Sequence, residues 1–256
     1  MTPDQILRLA RPILTKGGFD LLSTCSVADY NEHPQIIGLG VEQKLRGDGD
    51  DLVVLVGNSS ALWGPFIQFL ADNADEMERA RPDWLDHYTR HLVGQATTAL
   101  TGSDCAPPQT VFAFETIETH QRCISVNTVA HVSGMALYLP ELFRSVHAEL
   151  GPWIGYRAVM VFPGCKAPSE PAVLVSSDIV SPDEIGRVKA VQGEVMANWG
   201  KVPEAESWKG LVAVSDTFDL GRSQRYCEDQ VSFHYSSSDE ERDAVLKAAV
   251  AQYQRS

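Results

Sequence analysis

Apolar residues at the start of the chain recur at helical spacing. Ile6, Leu9 and Ile13 are three or four positions apart, so they fall on one face of a helix. Thr2 can cap that helix, because a threonine hydroxyl accepts a hydrogen bond from a free backbone N–H of the first turn. Gly17 and the glycine after it end the pattern. The sequence therefore predicts a first helix between these two signals.

Shorter apolar stretches have the length and residue types of β-strands. The stretch 52–56 is apolar at every position, which is typical of a strand buried on both faces. The stretch 110–117 alternates apolar and polar side chains, as a half-buried strand does. The predicted strands are 19–27, 52–56, 110–117, 156–162 and 172–175.

Capping signals mark the later helices. Ser181 is followed by a proline at the first helical position and an acidic residue at the third, which predicts a helix to about Asn198. Ser238 begins a similar signal for the last helix. Further helices are predicted from about 61, from 83 and over 125–139.

The predicted helix 125–139 has one side nearly free of bulky side chains. A backbone with such a side can approach a neighbouring helix or a large, flat ligand, and composition alone favours the neighbouring helix. The small residues on this side are Ala130, Ser133, Gly134 and Ala136.

The order of the predicted elements indicates the fold class. Strands and helices interleave without a regular βαβ alternation, which indicates an α+β fold with a mixed or antiparallel sheet. No internal repeat or low-complexity linker divides the chain. We therefore expect a single domain over residues 1–256.

Charge and hydrophobicity narrow the class of protein. The 256 residues carry a formal net charge of −13, whereas proteins that bind nucleic acid or anionic membranes need Lys and Arg to contact phosphates. No apolar run approaches the ~20 residues that span a bilayer. The N-terminus lacks the pattern of a signal peptide. We expect a soluble, cytoplasmic protein that binds neither nucleic acid nor membrane.

Several common catalytic motifs are absent from the sequence. It contains no GxxxxGK(S/T) phosphate loop, no GxGxxG dinucleotide turn, no HExxH metal motif and no GxSxG nucleophile elbow. The five cysteines include no CxxC pair and are interpreted as buried, inert thiols. His87 and His91 have an i, i+4 spacing but lack an evident third metal ligand.

Two longer stretches resemble a known family. The segment TVAHVSGMALY at 128–138 resembles the TxAHVxGxAxY signature of the CblC cobalamin-processing family, and WIGYRAVMVFPG at 153–164 is similar to its WxxxRxVxxxPG strand. Shorter pieces follow in the family's order, namely GFD at 18–20, YNE at 30–32, GPFI at 64–67 and RYCEDQ at 225–230. Together the blocks cover most of the chain.

The resemblance implies a nitroreductase-like mixed β-sheet flanked by helices. It also implies that the substrate is cobalamin bound base-off, with its lower base displaced from cobalt. Family members remove the upper axial ligand by flavin-assisted reductive decyanation or by transfer of an alkyl group to glutathione. Cobalamin, glutathione and FMN are therefore the candidate small-molecule ligands, and a downstream cobalamin acceptor is a candidate protein partner. A non-catalytic cobalamin carrier or escort, and a flavin reductase on the same scaffold, are the alternatives.

The resemblance also assigns candidate site residues. His131 is expected to hydrogen-bond a side-chain amide of the corrin. Arg157 and Arg242 match arginines implicated in thiol binding, where a guanidinium can hold a carboxylate bidentately. The residues that match corrin contacts, together with Trp153 beside them, are Ile124, Ser125, Val126, Asn127, His131, Tyr138, Leu139, Pro140, Trp153 and Tyr156.

No histidine is expected to bind cobalt. The surroundings of His91 and His131 resemble the DxHxxG motif of cobalt-ligating proteins, but both lack the aspartate that would hold and polarise the imidazole. We therefore expect no metal ligand from the protein.

One part of the family pattern is missing. The family's WRDWxxR segment has no clear counterpart before Arg225, and residues 216–220 occupy that stretch. One arginine expected to bind glutathione is therefore absent. The resemblance supports corrin binding more strongly than thiol-dependent dealkylation.

Overall fold

The chain folds into interleaved helices and strands. The computed structural model describes residues 1–39, 43–100, 106–115, 124–170 and 172–255. The helices in these ranges are α1 (Pro3–Lys16), α2 (Val27–Asn31), α3 (Pro34–Leu39), α4 (Trp63–Asp72), α5 (Ala74–Arg79), α6 (Trp84–Leu100), α7 (Val126–Val132), α8 (Pro182–Asn198), α9 (Glu204–Asp216), α10 (Glu228–His234) and α11 (Asp239–Tyr253). The strands are β1 (Leu21–Ser26), β2 (Asp51–Asn58), β3 (Gln109–Phe112), β4 (Leu137–Leu139), β5 (Arg144–Val146) and β6 (Gly155–Lys166).

The main sheet has the strand order β1-β2-β6-β3, and each of these pairings is antiparallel. A separate hairpin pairs β4 with β5. The α+β class is therefore confirmed. The antiparallel alternative is therefore confirmed for the described strands, and the mixed sheet is not: β2 and β3 run in the same direction, but β6 lies between them and is antiparallel to both. The likeness to nitroreductases stays a prediction.

The main sheet separates two hydrophobic clusters, and β2 is therefore buried on both faces. Leu52, Val54 and Val56 belong to the cluster that includes residues of α1, α4, α6 and α11. Val53 and Leu55 belong to the cluster that includes residues of α2, α3 and α7. Burial on both faces thus explains why the run of β2 is continuously apolar, as the sequence predicts.

Helices α8 and α9 form a second core with the β4–β5 hairpin. Leu139 of β4 and Val146 of β5 are buried in one cluster with Val188 of α8 and Val214 of α9. The hairpin therefore stands between the main sheet and this pair of helices. Residues on it can face either core.

The capping signals correctly predict where three helices begin. Thr2, Ser181 and Ser238 each accept a hydrogen bond at the start of α1, α8 and α11, and α8 ends at Asn198. The predicted face of α1 is less accurate, because Leu9 is 40% exposed. Within the described ranges, no helix is both long and apolar enough to cross a membrane.

The helix predicted over 125–139 is wrong beyond its first half. Helix α7 ends at Val132, Gly134 has a φ of +69°, and β4 begins at Leu137. A residue in the left-handed region cannot continue a right-handed helix. The glycine therefore ends the helix and turns the chain into the hairpin.

Two further elements differ from the prediction. The stretch 172–175 forms no strand, because it runs over the surface, where Val173 is 92% exposed. Helix α9 was not predicted, because it begins after Pro203 without a capping side chain. Strand β3 lies where 110–117 was predicted, and residues 116–117 are outside the described residues.

The cysteines do not share one environment. Cys25 is free and buried, and burial raises the pKa of its thiol. Cys227 is free and exposed, whereas Cys165 is disulfide-bonded. The expectation of buried, inert thiols is therefore wrong for Cys227 and Cys165. Cys105 and Cys123 lie outside the described residues.

Candidate functional site

Ser125 fixes the first turn of α7. Its Oγ accepts hydrogen bonds from the Thr128 backbone N–H at 3.2 Å and from the Thr128 hydroxyl at 2.7 Å. Its own N–H donates to the Tyr30 hydroxyl at 2.9 Å. Ile124 is buried and Val126 partly buried in the cluster on this face of the sheet. The start of α7 is therefore held rigidly, with Asn127 as the next polar residue.

Ser145 brings together polar residues from three elements. Its hydroxyl donates to Asn127 Oδ1 at 2.9 Å, which joins β5 to α7. Tyr138 is its partner across the hairpin. Burial raises the pKa of Tyr156 on β6, and the nearby Ser145 hydroxyl opposes this rise. The structure thus places three predicted site residues around one serine, which the sequence analysis missed.

His131 lies at the end of α7 beside a second histidine. The ring centroids of His131 and His33 are 5.9 Å apart and the rings are nearly perpendicular. Burial, and then the charge of His131, lowers the pKa of His33. The Nδ1 atom of His131 is buried without a hydrogen-bond partner among the described residues. A polar group brought next to this nitrogen would satisfy it.

The small side chains of this segment serve packing within the protein. Ala130 and Ala136 are fully buried in the core. The Ser133 hydroxyl hydrogen-bonds the Ser23 hydroxyl at 2.7 Å. A Cβ atom on Gly134 would clash with the backbone oxygen of Val173, in the surface segment 172–176. The interpretation of this side as a surface for a flat ligand is therefore wrong, because the protein itself covers it.

The predicted residues after α7 divide between the two sides of the hairpin. Tyr138 is partly buried and Pro140 is exposed, whereas Leu139 is buried in the second core. Successive side chains of a strand point to opposite faces. Tyr138 and Pro140 can therefore contact a ligand, and Leu139 supports them from behind.

Arg157 lies at the end of the main sheet where β6 begins and β2 ends. Its Nε donates to Oδ1 of the buried Asn58 at 2.6 Å. Burial lowers the pKa of Arg157, and the nearby Tyr226 and Asp86 oppose this shift. We call Asn58, Arg157, Tyr226 and His234 the arginine pocket.

His234 places Arg242 close to the arginine pocket. Burial, then the charges of Arg157 and Arg242, lowers the pKa of His234 to about 3. The buried Nε2 of His234 has no partner in the described ranges. Arg242 donates to Asp239 at 3.1 Å and lines a cleft of about 170 Å³ with His234. The structure therefore brings both predicted thiol-binding arginines to one imidazole.

Trp153 supports the arginine pocket from inside the protein. It is only 2% exposed, and its ring contacts Tyr226 edge-on at a centroid distance of 5.4 Å. The Arg225 guanidinium lies 5.3 Å from the same ring. A side chain this buried positions Tyr226 and has little surface left for a ligand.

The two groups of residues suit ligand binding more than metal binding. In the ranges that the structure covers, no three His, Cys, Asp or Glu side chains are grouped to hold a metal ion. The residues around Ser145 offer hydroxyl and amide groups, which bind neutral polar ligands. The arginine pocket offers a guanidinium that forms no salt bridge with a described carboxylate, although Asp86 is near enough to oppose the fall in its pKa, and a guanidinium binds anions.

Comparison with known proteins identifies a structural neighbour. No family model matches the sequence, and none of the curated proteins matches it. The fold is shared with the B12-trafficking protein CblC of C. elegans, a homologue of human MMACHC, with a TM-score of 0.75 and 16% sequence identity over 96% of each chain. At this identity the likeness establishes a common fold.

Proposed function

We propose, from the fold shared with CblC, that this protein binds cobalamin base-off and removes its upper axial ligand. The supporting observation is the meeting of Asn127, Tyr138 and Tyr156 at Ser145. The sequence resemblance assigns these three residues to the corrin, although they belong to different elements. Their proximity in the folded chain is what a single binding surface requires.

The chemistry of the surface around Ser145 suits the edge of a corrin. That edge carries neutral amide side chains, which both donate and accept hydrogen bonds. Asn127 and the Tyr138 hydroxyl can do the same. His131 adds the unpartnered Nδ1 atom. We place the corrin rim at these groups, with no side chain of the protein bound to cobalt.

We place a thiol cosubstrate such as glutathione at the arginine pocket. Arg157 can hold a carboxylate bidentately, and Arg242 supplies a second positive charge near His234. In the dealkylation, the thiolate sulfur attacks the alkyl carbon on cobalt. The sulfur–carbon bond forms, the carbon–cobalt bond breaks, and its electron pair stays on cobalt. The pocket contributes by orienting the thiolate toward the alkyl carbon.

Visible spectroscopy of the purified protein with aquo- and methylcobalamin tests this proposal. We expect a base-off spectrum on binding, and loss of the methyl group when glutathione is added. Ser145→Ala removes the hydrogen bond to Asn127 and should weaken cobalamin binding roughly three- to tenfold. The matched control is Ser23→Ala, which removes a hydroxyl pair outside the proposed surface and should leave the affinity unchanged.

The other outcomes distinguish the alternatives. Spectra that stay unchanged with every cobalamin contradict the proposal. Base-off binding without ligand removal, in the presence of reduced flavin and glutathione, favours a carrier or escort. Tight FMN binding without a spectral change of any cobalamin favours a flavin reductase.

A further inference from the structure

The corner between α2 and α3 is tied to the first turn of α7. Tyr30 of α2 is fully buried, and its hydroxyl accepts the Ser125 N–H at 2.9 Å. From α3, Gln35 Oε1 accepts the Thr128 hydroxyl at 3.1 Å. His33 lies between these two tethers along the chain. The corner therefore holds its position against α7, and His33 with it.

His33 contacts α7 one turn further on, at His131. The two rings meet edge to face, with centroids 5.9 Å apart and planes at 81°. Both side chains are partly buried. The Gln35 backbone N–H donates to His33 Nδ1 at 3.4 Å, so the His33 ring is also held from within its own corner. The His131 ring thus packs against a neighbour that is itself fixed.

Helix α7 links this ring contact to the surface around Ser145. Asn127 and His131 are four residues apart on α7 and therefore lie on the same face of the helix. Asn127 Oδ1 accepts the Ser145 hydroxyl at 2.9 Å. The His131 ring is therefore one helical turn from the polar groups at which we place the corrin rim.

Packing, not charge, is what His33 offers to His131. Burial, then the charge of His131, lowers the pKa of His33. His33 is therefore neutral at physiological pH. A neutral ring of similar size, such as phenyl, should be able to replace it.

We propose that His33 is a positioning residue for corrin binding, which holds the His131 imidazole at the edge of the surface around Ser145. This inference rests on the proposed function. The edge-to-face contact restricts rotation of the His131 side chain before a ligand arrives. A side chain that is already ordered loses less entropy on binding. His33 acts through His131 and itself touches no part of the cobalamin.

A double-mutant cycle, measured by visible titration of the full chain with aquocobalamin, tests this role. His33→Ala should weaken binding roughly three- to tenfold. The same substitution in a His131→Ala background should cause no further loss, because the ring through which His33 acts is gone. His33→Phe should bind about as well as the wild type. Ile37→Ala, at an exposed position of α3, is the matched control and should leave the affinity unchanged.

Two results of the titration would overturn the inference. Losses that add in the double variant would show that His33 and His131 act independently. A His33→Phe variant that binds as weakly as His33→Ala would show that a packed ring is not what His33 contributes.

NMR of the protein without ligand tests the positioning separately from cobalamin. Three-bond couplings across χ1 of His131 should report one rotamer in the wild type and in His33→Phe, and an average of rotamers in His33→Ala. A single rotamer in His33→Ala would contradict the inference. If His33→Ala frees the His131 ring but the wild type gives no base-off spectrum, the cobalamin function is wrong and the positioning by His33 is still supported.

Discussion

Asn58 fixes the direction of the Arg157 side chain and leaves its positive charge in place. Its amide oxygen accepts the Nε–H at 2.6 Å, and a neutral acceptor holds a cation without cancelling its charge. A Cβ atom at Gly155 would lie 2.9 Å from both Arg157 Nη2 and Asn58 Oδ1. Asparagine and glycine at these positions therefore keep the guanidinium oriented and available for an anion.

Replacing Asn58 by aspartate should separate folding from ligand binding. Asn58→Asp keeps the shape of the side chain but adds a carboxylate next to Arg157. The new ion pair stabilises the folded protein, whereas loss of the Nδ2–H bond to the Ser59 carbonyl destabilises it, so the midpoint of thermal unfolding should change little while glutathione binding weakens at least about tenfold. Calorimetry and thermal unfolding of the same sample check both effects. Unchanged glutathione affinity would show that Arg157 does not contact the thiol.

His234 should make the stability of the protein sensitive to acid. Its pKa is about 3 in the folded protein and 6.5 as a free side chain. Above pH 6.5 the imidazole is neutral in both states. Between pH 6.5 and 3 it gains a proton only when the protein unfolds, so each unit of acidification removes up to about 1.4 kcal/mol of stability.

His234→Gln should remove this dependence, because glutamine does not titrate. Urea unfolding at several pH values from 7.5 to 4.5 should show the wild type losing stability relative to the variant as the pH falls. The difference should disappear above the pKa of the free side chain. If the stabilities of wild type and variant change in parallel over the whole pH range, the pKa of His234 is the same in the folded and the unfolded protein.

The sequence predicts individual site residues better than their neighbours in space. Arg157, Arg242 and Asn127 were found by resemblance, whereas Ser145 was not. Ser145 is an ordinary polar residue in a short strand, and its contacts are with residues of other elements. Asn58 carried a usable signal, since it is the first polar side chain after the apolar run 52–56.

At the scale of elements, the turn after α7 determines where the hairpin begins. Gly134 has a φ of +69° and lies against the Val173 carbonyl. This contact is tight enough to exclude any larger side chain. The turn thus holds the 172–176 segment and the hairpin in a fixed relation.

Adding a methyl group should therefore have opposite effects at two glycines. Gly134→Ala should destabilise the protein by roughly 1–3 kcal/mol, because alanine is strained at this φ and its Cβ would clash with the Val173 oxygen. Gly94→Ala in the exposed middle of α6 meets no atom within 4 Å and should stabilise by up to about 1 kcal/mol. Chemical denaturation measures both. Equal effects of the two substitutions would show that the turn relaxes.

Local signals explain which elements were predictable. Helices α8 and α11 begin with a serine whose hydroxyl binds the first turn, and such caps are encoded within four residues. Helix α9 lacks a side-chain cap. The helical character of 135–139 is overridden by pairing with β5. Pairing partners are set by the folded chain, so neighbouring residues do not reveal them.

At the scale of the whole molecule, an acidic surface contrasts with a partly buried arginine that is held by a neutral amide. The net charge is −13, while Arg157 forms no salt bridge in the described ranges and has Asp86 near it. Salt at physiological concentration screens exposed charges beyond about 8 Å. A ligand placed at the arginine pocket, as we propose, would therefore be influenced by Arg157 and Asp86 more than by the acidic residues of the distant surface.

The α+β class and the buried central strand followed from the sequence, but the second core did not. Leu139 and Val188 meet there although they are far apart along the chain. In the sequence, apolar residues that belong to a second hydrophobic core cannot be distinguished from those that belong to the first. The position of the proposed site beside the hairpin therefore required the structure.

The antiparallel pairing of β2 with β6 also has a consequence for biosynthesis. β2 ends at Asn58, and its partner does not begin until Gly155. At roughly 5–20 residues per second, a ribosome needs about 5–20 s to make the intervening segment. During that time β1 and β2 can pair and the helices before β2 can cover part of its faces, but the edge of β2 that pairs with β6 is uncovered. The nascent chain therefore passes through an aggregation-prone stage, during which a chaperone would protect it. Slow dilution would protect the same stage when the protein is refolded in vitro.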